Sequence, residues 1–183
     1  MKNSKKLFIL RIFTLLAFLL LTFTATAQNA EQQEIIDDAQ KAKQAFIAKD
    51  AGIEKLFNTS EGYVIFPNVG KGAYIVGGAS GNGAVYHQGK LIGMADLKQL
   101  DVGLQLGGQA FSQVIFFGNQ QVLEEFKEGE FELSGTASAV ALDKGAAETI
   151  RFKDGVAIAT LPKAGAMIEV SVGGQKFKFE PLK

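Results

Sequence analysis

Cysteine is absent from the 183 residues, and histidine occurs once. Without cysteine the chain forms no disulfide, so its fold rests on a packed core, and it cannot be acylated on an N-terminal cysteine. A single histidine, His87, excludes zinc sites built on a histidine pair and leaves a Ser-His-Asp triad with one candidate base. The G-x-S-x-G nucleophile turn is also missing. His87 is expected at a hairpin end beside Gln88-Gly89, where a polar residue is ordinary.

Other chemistry is excluded on spacing. A Walker loop needs its lysine followed by Ser or Thr entering a helix, but Lys71 is followed by Gly72 and a strand-like run. The glycines from Gly77 to Gly83 lead into no helix, which excludes the dinucleotide fingerprint. No calcium-loop spacing occurs, and the acids Asp37, Asp38, Asp96, Asp101, Glu130 and Glu132 are scattered. No catalytic residue, metal or cofactor is expected. Neither a repeat of fixed period nor a low-complexity tail is present.

An excess of basic charge is lacking too. The chain has 19 basic and 19 acidic residues, and four of the basic ones, Lys2, Lys5, Lys6 and Arg11, precede an apolar run from Ile12 to Phe23. Thr24-Ala25-Thr26-Ala27 then supplies the small residues of a cleavage site, so residues 1–27 read as a secretory signal peptide. A retained anchor is the competing reading, for which the run is short against the ~20 residues of a spanning helix. Cleavage leaves 15 basic against 19 acidic residues. A nucleic-acid partner is therefore not expected. The expected location is exported, periplasmic or secreted, peripheral to the outer membrane.

What is present divides at Gly62. From Glu31 to Asp50 the residues Ile35, Ile36, Ala39, Ala42, Phe46 and Ile47 recur at helical spacing, with Lys41, Lys43 and Lys49 beside them. An apolar stripe flanked by lysines suits a lipid headgroup boundary, and equally suits docking on a sheet with the lysines in solvent. A short helical piece follows at Gly52–Phe57.

All but one of the 21 glycines lie from Gly62 onward, among β-branched and aromatic runs. Strands are expected at Gly62–Phe66, Ala73–Gly78, Gly83–His87, Lys90–Asp96, Val102–Leu106, Gln113–Phe117, Glu130–Leu142, Glu148–Phe152, Val156–Leu161, Met167–Val172 and Lys176–Phe179. Turns are expected at Gly81-Asn82-Gly83, Gln88-Gly89, Asp154-Gly155 and Gly173-Gly174. One helix interrupts them, with Asn119 as its cap, Val122, Leu123 and Phe126 as its stripe and Gly129 as its stop. The fold class is α+β: a mainly antiparallel, strongly curved β-sheet or barrel with an N-terminal amphipathic helix and a helix inserted near 119–128. Residues 28–183 form one domain.

The stretch from Asp101 to Phe117 organises this reading. Val102, Leu104 and Leu106 alternate with Gly103, Gln105 and Gly107, and Val114 to Phe117 are continuously apolar, as in a strand covered on both faces. Gly103, Gly107 and Gly108 leave a smooth sheet face open to close approach.

Four blocks, EGYVIFPNVGKGAYIVGGASGNGAVY, VGLQLGGQAFSQVIFF, FKEGEFELSGTASAVAL and GVAIATLPKAGAMIEVSVGGQKF, resemble in sequence and in order the SYLF domain family, over about Glu31 to Pro181. The resemblance implies a non-enzymatic phospholipid-binding domain, linked in some members to actin. The lipid contacts it implies fall on Lys41, Lys43, Phe46, Ile47 and Lys49 of the helix and on Lys71 of the GKG turn. Export separates the chain from cytoplasmic actin, so actin binding is not expected, and an envelope lipid is expected over a phosphoinositide. The alternative is a structural or protein-interaction component of the envelope, with an envelope protein as partner.

Overall fold

The computed structural model describes residues 30–70, 78–100, 110–129, 131–133, 139–163 and 174–182. The chain divides into two units, residues 1–34 and residues 35–183. Of the first, residues 30–34 are described, as the opening turn of a helix. The expected signal segment lies outside the described residues.

Helix α1 covers residues 30–49, a stretch of strong helix formers. It stops at Asp50, whose extended backbone (φ −151°, ψ 108°) lets its carboxylate accept from Gly52 N at 3.0 Å and start a 3₁₀ turn at Ala51–Ile53. Helix α2, Glu54–Thr59, continues that turn and ends at Ser60.

The strands are β1 (Gly62–Val69), β2 (Gly78–His87), β3 (Lys90–Leu100), β4 (Phe111–Phe117), β5 (Glu132–Leu133), β6 (Val140–Ala141), β7 (Val156–Pro162) and β8 (Gln175–Pro181), with helix α3 (Gln120–Glu128) after β4. Among the described residues they form one curled sheet in the order β5-β8-β3-β2-β1-β4-β7-β6. Every pair is antiparallel except β6 with β7. The expected α+β class with a strongly curved, mainly antiparallel sheet is what the chain adopts.

Both faces of the sheet are covered at its centre. On the inner side, Val64, Phe66, Leu97, Ile115, Phe117 and Phe177 pack with Val122, Leu123 and Phe126 of α3. On the outer side, Tyr63, Ile65, Ala84, Val114 and Phe116 receive Ala39, Ala42 and Phe46 of α1 and Phe57 of α2. All seven residues of β4 are buried, which is why its side chains read as one apolar run instead of alternating. Fully burying each large apolar side chain contributes about 1.5–3 kcal/mol.

Helix α3 forms as its local signals dictate. Asn119 Oδ1 accepts from Val122 N at 3.1 Å, and Gly129 ends the helix in the left-handed conformation (φ 78°). The Gln88-Gly89 and Asp154-Gly155 links also form, with positive φ at all four residues.

Three expectations are corrected. Gly81-Asn82-Gly83 is not a turn, because β2 runs straight through it, paired with Leu97, Asp96 and Ala95 of β3. Its glycine serves close approach: a Cβ on Gly83 would lie 2.7 Å from the Ile65 carbonyl and 2.7 Å from the Phe66 ring. Glu130–Leu142 is not one strand, since β5 pairs with β8 at one edge and β6 with β7 at the other. Glu148–Phe152 is no strand either, as Ala146–Thr149 wind into a 3₁₀ turn fixed by the left-handed Gly145 and by Asp50 Oδ2, which accepts from Ala147 N at 2.8 Å. The expected strands at Val102–Leu106 and Met167–Val172, most of Ala73–Gly78, and Gly173 lie outside the described residues.

Candidate functional site

A register shift in β1 shapes the outer surface. Between Phe66 and Val69, β1 carries one residue more than β4 spans between Gln113 and Phe111. The bulge accommodates Pro67, which has no amide to give the ladder, while its carbonyl accepts from Ser112 Oγ at 2.8 Å. Asn68 is thereby turned outward. Its amide nitrogen reaches Asp38 of α1 at 3.4 Å, and its carbonyl accepts from Lys163 beyond β7. One surface cluster so ties α1, β1 and the end of β7 together.

Along α1 the charges segregate: Glu31, Glu34, Asp37 and Asp38 precede Lys41, Lys43 and Lys49. That order favours the helix, since acids suit the positive N-terminal end of its dipole and bases the C-terminal end. Lys41 pairs with Asp38 at 2.9 Å and Lys49 with Asp143 at 2.9 Å. Both lysines are open to solvent, with side chains 75 % and 44 % exposed. Asp38 is held below the ordinary carboxylate range, chiefly by the hydrogen bond from Lys41. Asp143 is held down first by the hydrogen bond from Lys49.

Lys43 is placed differently. Its ammonium lies 4.8 Å from the centre of the Phe57 ring and 5.1 Å from that of Tyr63, and donates to the Tyr63 hydroxyl at 3.1 Å. It anchors α1 on an aromatic seat. Tyr86 stacks on Tyr63 with centroids 5.0 Å apart, and burial pushes its phenol up to about 12.

The residues named from sequence therefore separate. Lys41 and Lys49 stand at the surface; Ile47 is half-buried at the rim; Phe46 is fully buried against the sheet, and Lys43 is spent on the seat. Lys71, Gly103, Gly107 and Gly108 lie outside the described residues. Lys163, Asn68 and Asp143 were not singled out from sequence, because their roles arise from chain segments about a hundred residues apart. His87 Nε2 lies 2.7 Å from Glu61 Oε1 at the β2–β3 hairpin, where Gln88 also donates to that carboxylate at 3.2 Å. Among the described residues no helix is long and apolar enough to cross a membrane, and no group of three or more metal-ligating side chains gathers.

The inner face holds a second polar group that sequence reading passed over. Gln113 Nε2 donates to Gln175 Oε1 at 2.7 Å, and Gln175 Nε2 donates back to Gln113 Oε1 and to Gln99 Oε1, each at 3.1 Å. The available signal was a glutamine at an inward position between Phe111 and Ile115. A scan against models of protein families finds none that matches the chain, and a search of curated proteins finds no match.

Proposed function

We propose that the chain is an exported, non-enzymatic module that contacts phospholipid at the cell envelope through the outer side of the C-terminal half of α1. The observation that carries this reading is the pair Lys41 and Lys49, solvent-exposed cations that stand in surface ion pairs. Such pairs contribute about 0–1 kcal/mol, so a lipid phosphate competes with Asp38 and Asp143 at little cost. The resemblance of the four sequence blocks to the SYLF family supports the same reading, and residues 1–27 support export.

The contact is a shallow one. Phe46, Ala39 and Ala42 are engaged with the sheet, and the outward positions Gln40, Gln44, Ala45 and Ala48 are small or polar. The helix thus rests at headgroup level, with Ile47 at its rim, and does not bury its stripe in acyl chains.

Co-sedimentation of the chain with phosphatidylcholine vesicles, with and without phosphatidylglycerol, tests the proposal. Pelleting with the anionic vesicles, weakened by salt and by K41E/K49E, is the expected result. Lys43 is left intact because it holds the helix down. No pelleting with either vesicle, or pelleting indifferent to both lysines, contradicts the reading. Capture of an envelope protein without any lipid contact would favour an interaction component instead.

A further inference from the structure

Inside the curled sheet, four polar side chains come together where an apolar core is expected. Gln99 of β3 lies directly across from Gln175 of β8, and Gln113 of β4 lies directly across from Thr160 of β7. All four are on the inner face, in the same alternation as Leu97, Phe177, Ile115 and Ile158. The Gln113–Gln175 pair then bridges the interior from β4 to β8, strands separated in the sheet by β1, β2 and β3. Gln113, Gln175 and Thr160 are completely buried, and Gln99 nearly so.

The three amides are hydrogen-bonded to one another, but the Thr160 hydroxyl has no hydrogen-bond partner among the described residues. A buried hydroxyl without a partner carries a desolvation penalty that valine, of the same shape and strand preference, does not. Structure alone therefore gives no reason for threonine here. A purely structural clasp would also be made more simply from apolar side chains, which carry no amide to satisfy.

We propose that Thr160, with Gln113, Gln175 and Gln99, is an internal binding site for the uncharged polar end of an amphiphile, an ester or hydroxyl group. None of these four side chains is ionisable, which suits a neutral group and disfavours a phosphate or carboxylate. An amide donates and accepts at once, so a ligand hydroxyl or carbonyl exchanges for one bond of the Gln113–Gln175 pair and completes that of Thr160. Phe111 and Val69, apolar neighbours at this end of the interior, receive the adjoining chain. The site rests on the reading of the protein as a lipid-contact module, and gives it a neutral ligand distinct from the anionic surface at α1.

The test is titration calorimetry of the full chain with glycerol monodecanoate, and with decanoate as the charged control, for wild type and Thr160→Val. Saturable binding of the neutral ester in preference to decanoate is expected. Thr160→Val should weaken it about fivefold, the effect of one hydrogen bond, while leaving the ligand-free melting temperature unchanged or raised. Absence of binding, equal binding of decanoate, unchanged affinity of Thr160→Val, or a lower ligand-free melting temperature for that variant each overturns the site. Vesicle co-sedimentation separates this result from the surface reading. Vesicle binding without ester binding sinks the internal site alone, and ester binding without vesicle binding sinks the surface contact alone.

Discussion

The two faces of the sheet solve the same problem differently. The outer face is closed by a helix from elsewhere in the chain, α1, whose apolar stripe fits onto Tyr63, Val114 and Phe116 and whose Lys41 and Lys49 remain outside. The inner face is closed by the sheet's own curl together with α3, the curl placing the ring centroids of Phe66 and Phe177 5.7 Å apart and Gln113 within hydrogen-bonding distance of Gln175. On the outer face the charges of the covering helix stay at the surface. A face closed on itself hides its polar groups, and those must be satisfied from within.

The largest expected effect separates docking from contact on the outer face. Phe46→Ala removes a fully buried ring and should lower unfolding stability by about 3–5 kcal/mol in a denaturant titration. The K41E/K49E double variant should change stability by less than about 1 kcal/mol while reducing vesicle binding. Equal stability losses for the two variants would erase the distinction between stripe and rim.

The inner face is sharpened by Gly93→Ala. An added Cβ there would lie 2.4 Å from the Phe179 ring and 2.5 Å from the Glu180 carbonyl, so β8 must shift. Overpacking of this kind costs about 1–3 kcal/mol, seen as a lower chemical midpoint. Where the described sheet carries Gly83 and Gly93, aromatic rings fill the space in front of them, so these glycines are seats and not bare surface.

Smaller effects come from the termini of the helices. Asn119→Ala should cost about 1 kcal/mol through loss of the α3 cap, read from the same titration. Asp50 joins the end of α1 to the 3₁₀ turn at Ala146–Thr149, and its carboxyl is held below the ordinary range first by the Ala147 amide and then by that of Gly52. A carboxyl lowered by folding stabilises the fold above its unfolded value, and that stabilisation disappears as pH falls through the lowered one. Melting temperatures of wild type should therefore drop on acidification below about pH 4, and Asp50→Asn should show a shallower dependence. Parallel pH profiles would show that Asp50 adds nothing to the joint.

Much of the fold was legible because its signals are local. Asn119, the Val122-Leu123-Phe126 stripe and Gly129 specify α3 within eleven residues, and Gln88-Gly89 and Asp154-Gly155 specify their turns. The helical period of α1 likewise announced an apolar stripe, but not what would cover it. That depended on the two-sided burial of β1 and β4. The misreadings share a cause in distance. Glu132–Leu133 and Val140–Ala141 look like one alternating strand until their partners β8 and β7 are known to stand at opposite edges. Gln113 and Gln175 lie 62 residues apart and on strands that are not neighbours, so only the curl joins them. Lys43 was grouped with Lys41 and Lys49 by spacing, and its aromatic seat became visible only with β1 in place.

The absence of cysteine makes one measurement especially direct, since any introduced thiol takes a label uniquely. An environment-sensitive fluorophore on Ala45→Cys, on the outer side of α1, is to be compared with the same fluorophore on Lys90→Cys at the β2–β3 hairpin, each titrated with anionic vesicles. The account predicts a blue-shifted emission and quenching by spin-labelled headgroups at position 45, with neither at position 90. No change at position 45, or equal changes at both, would contradict it.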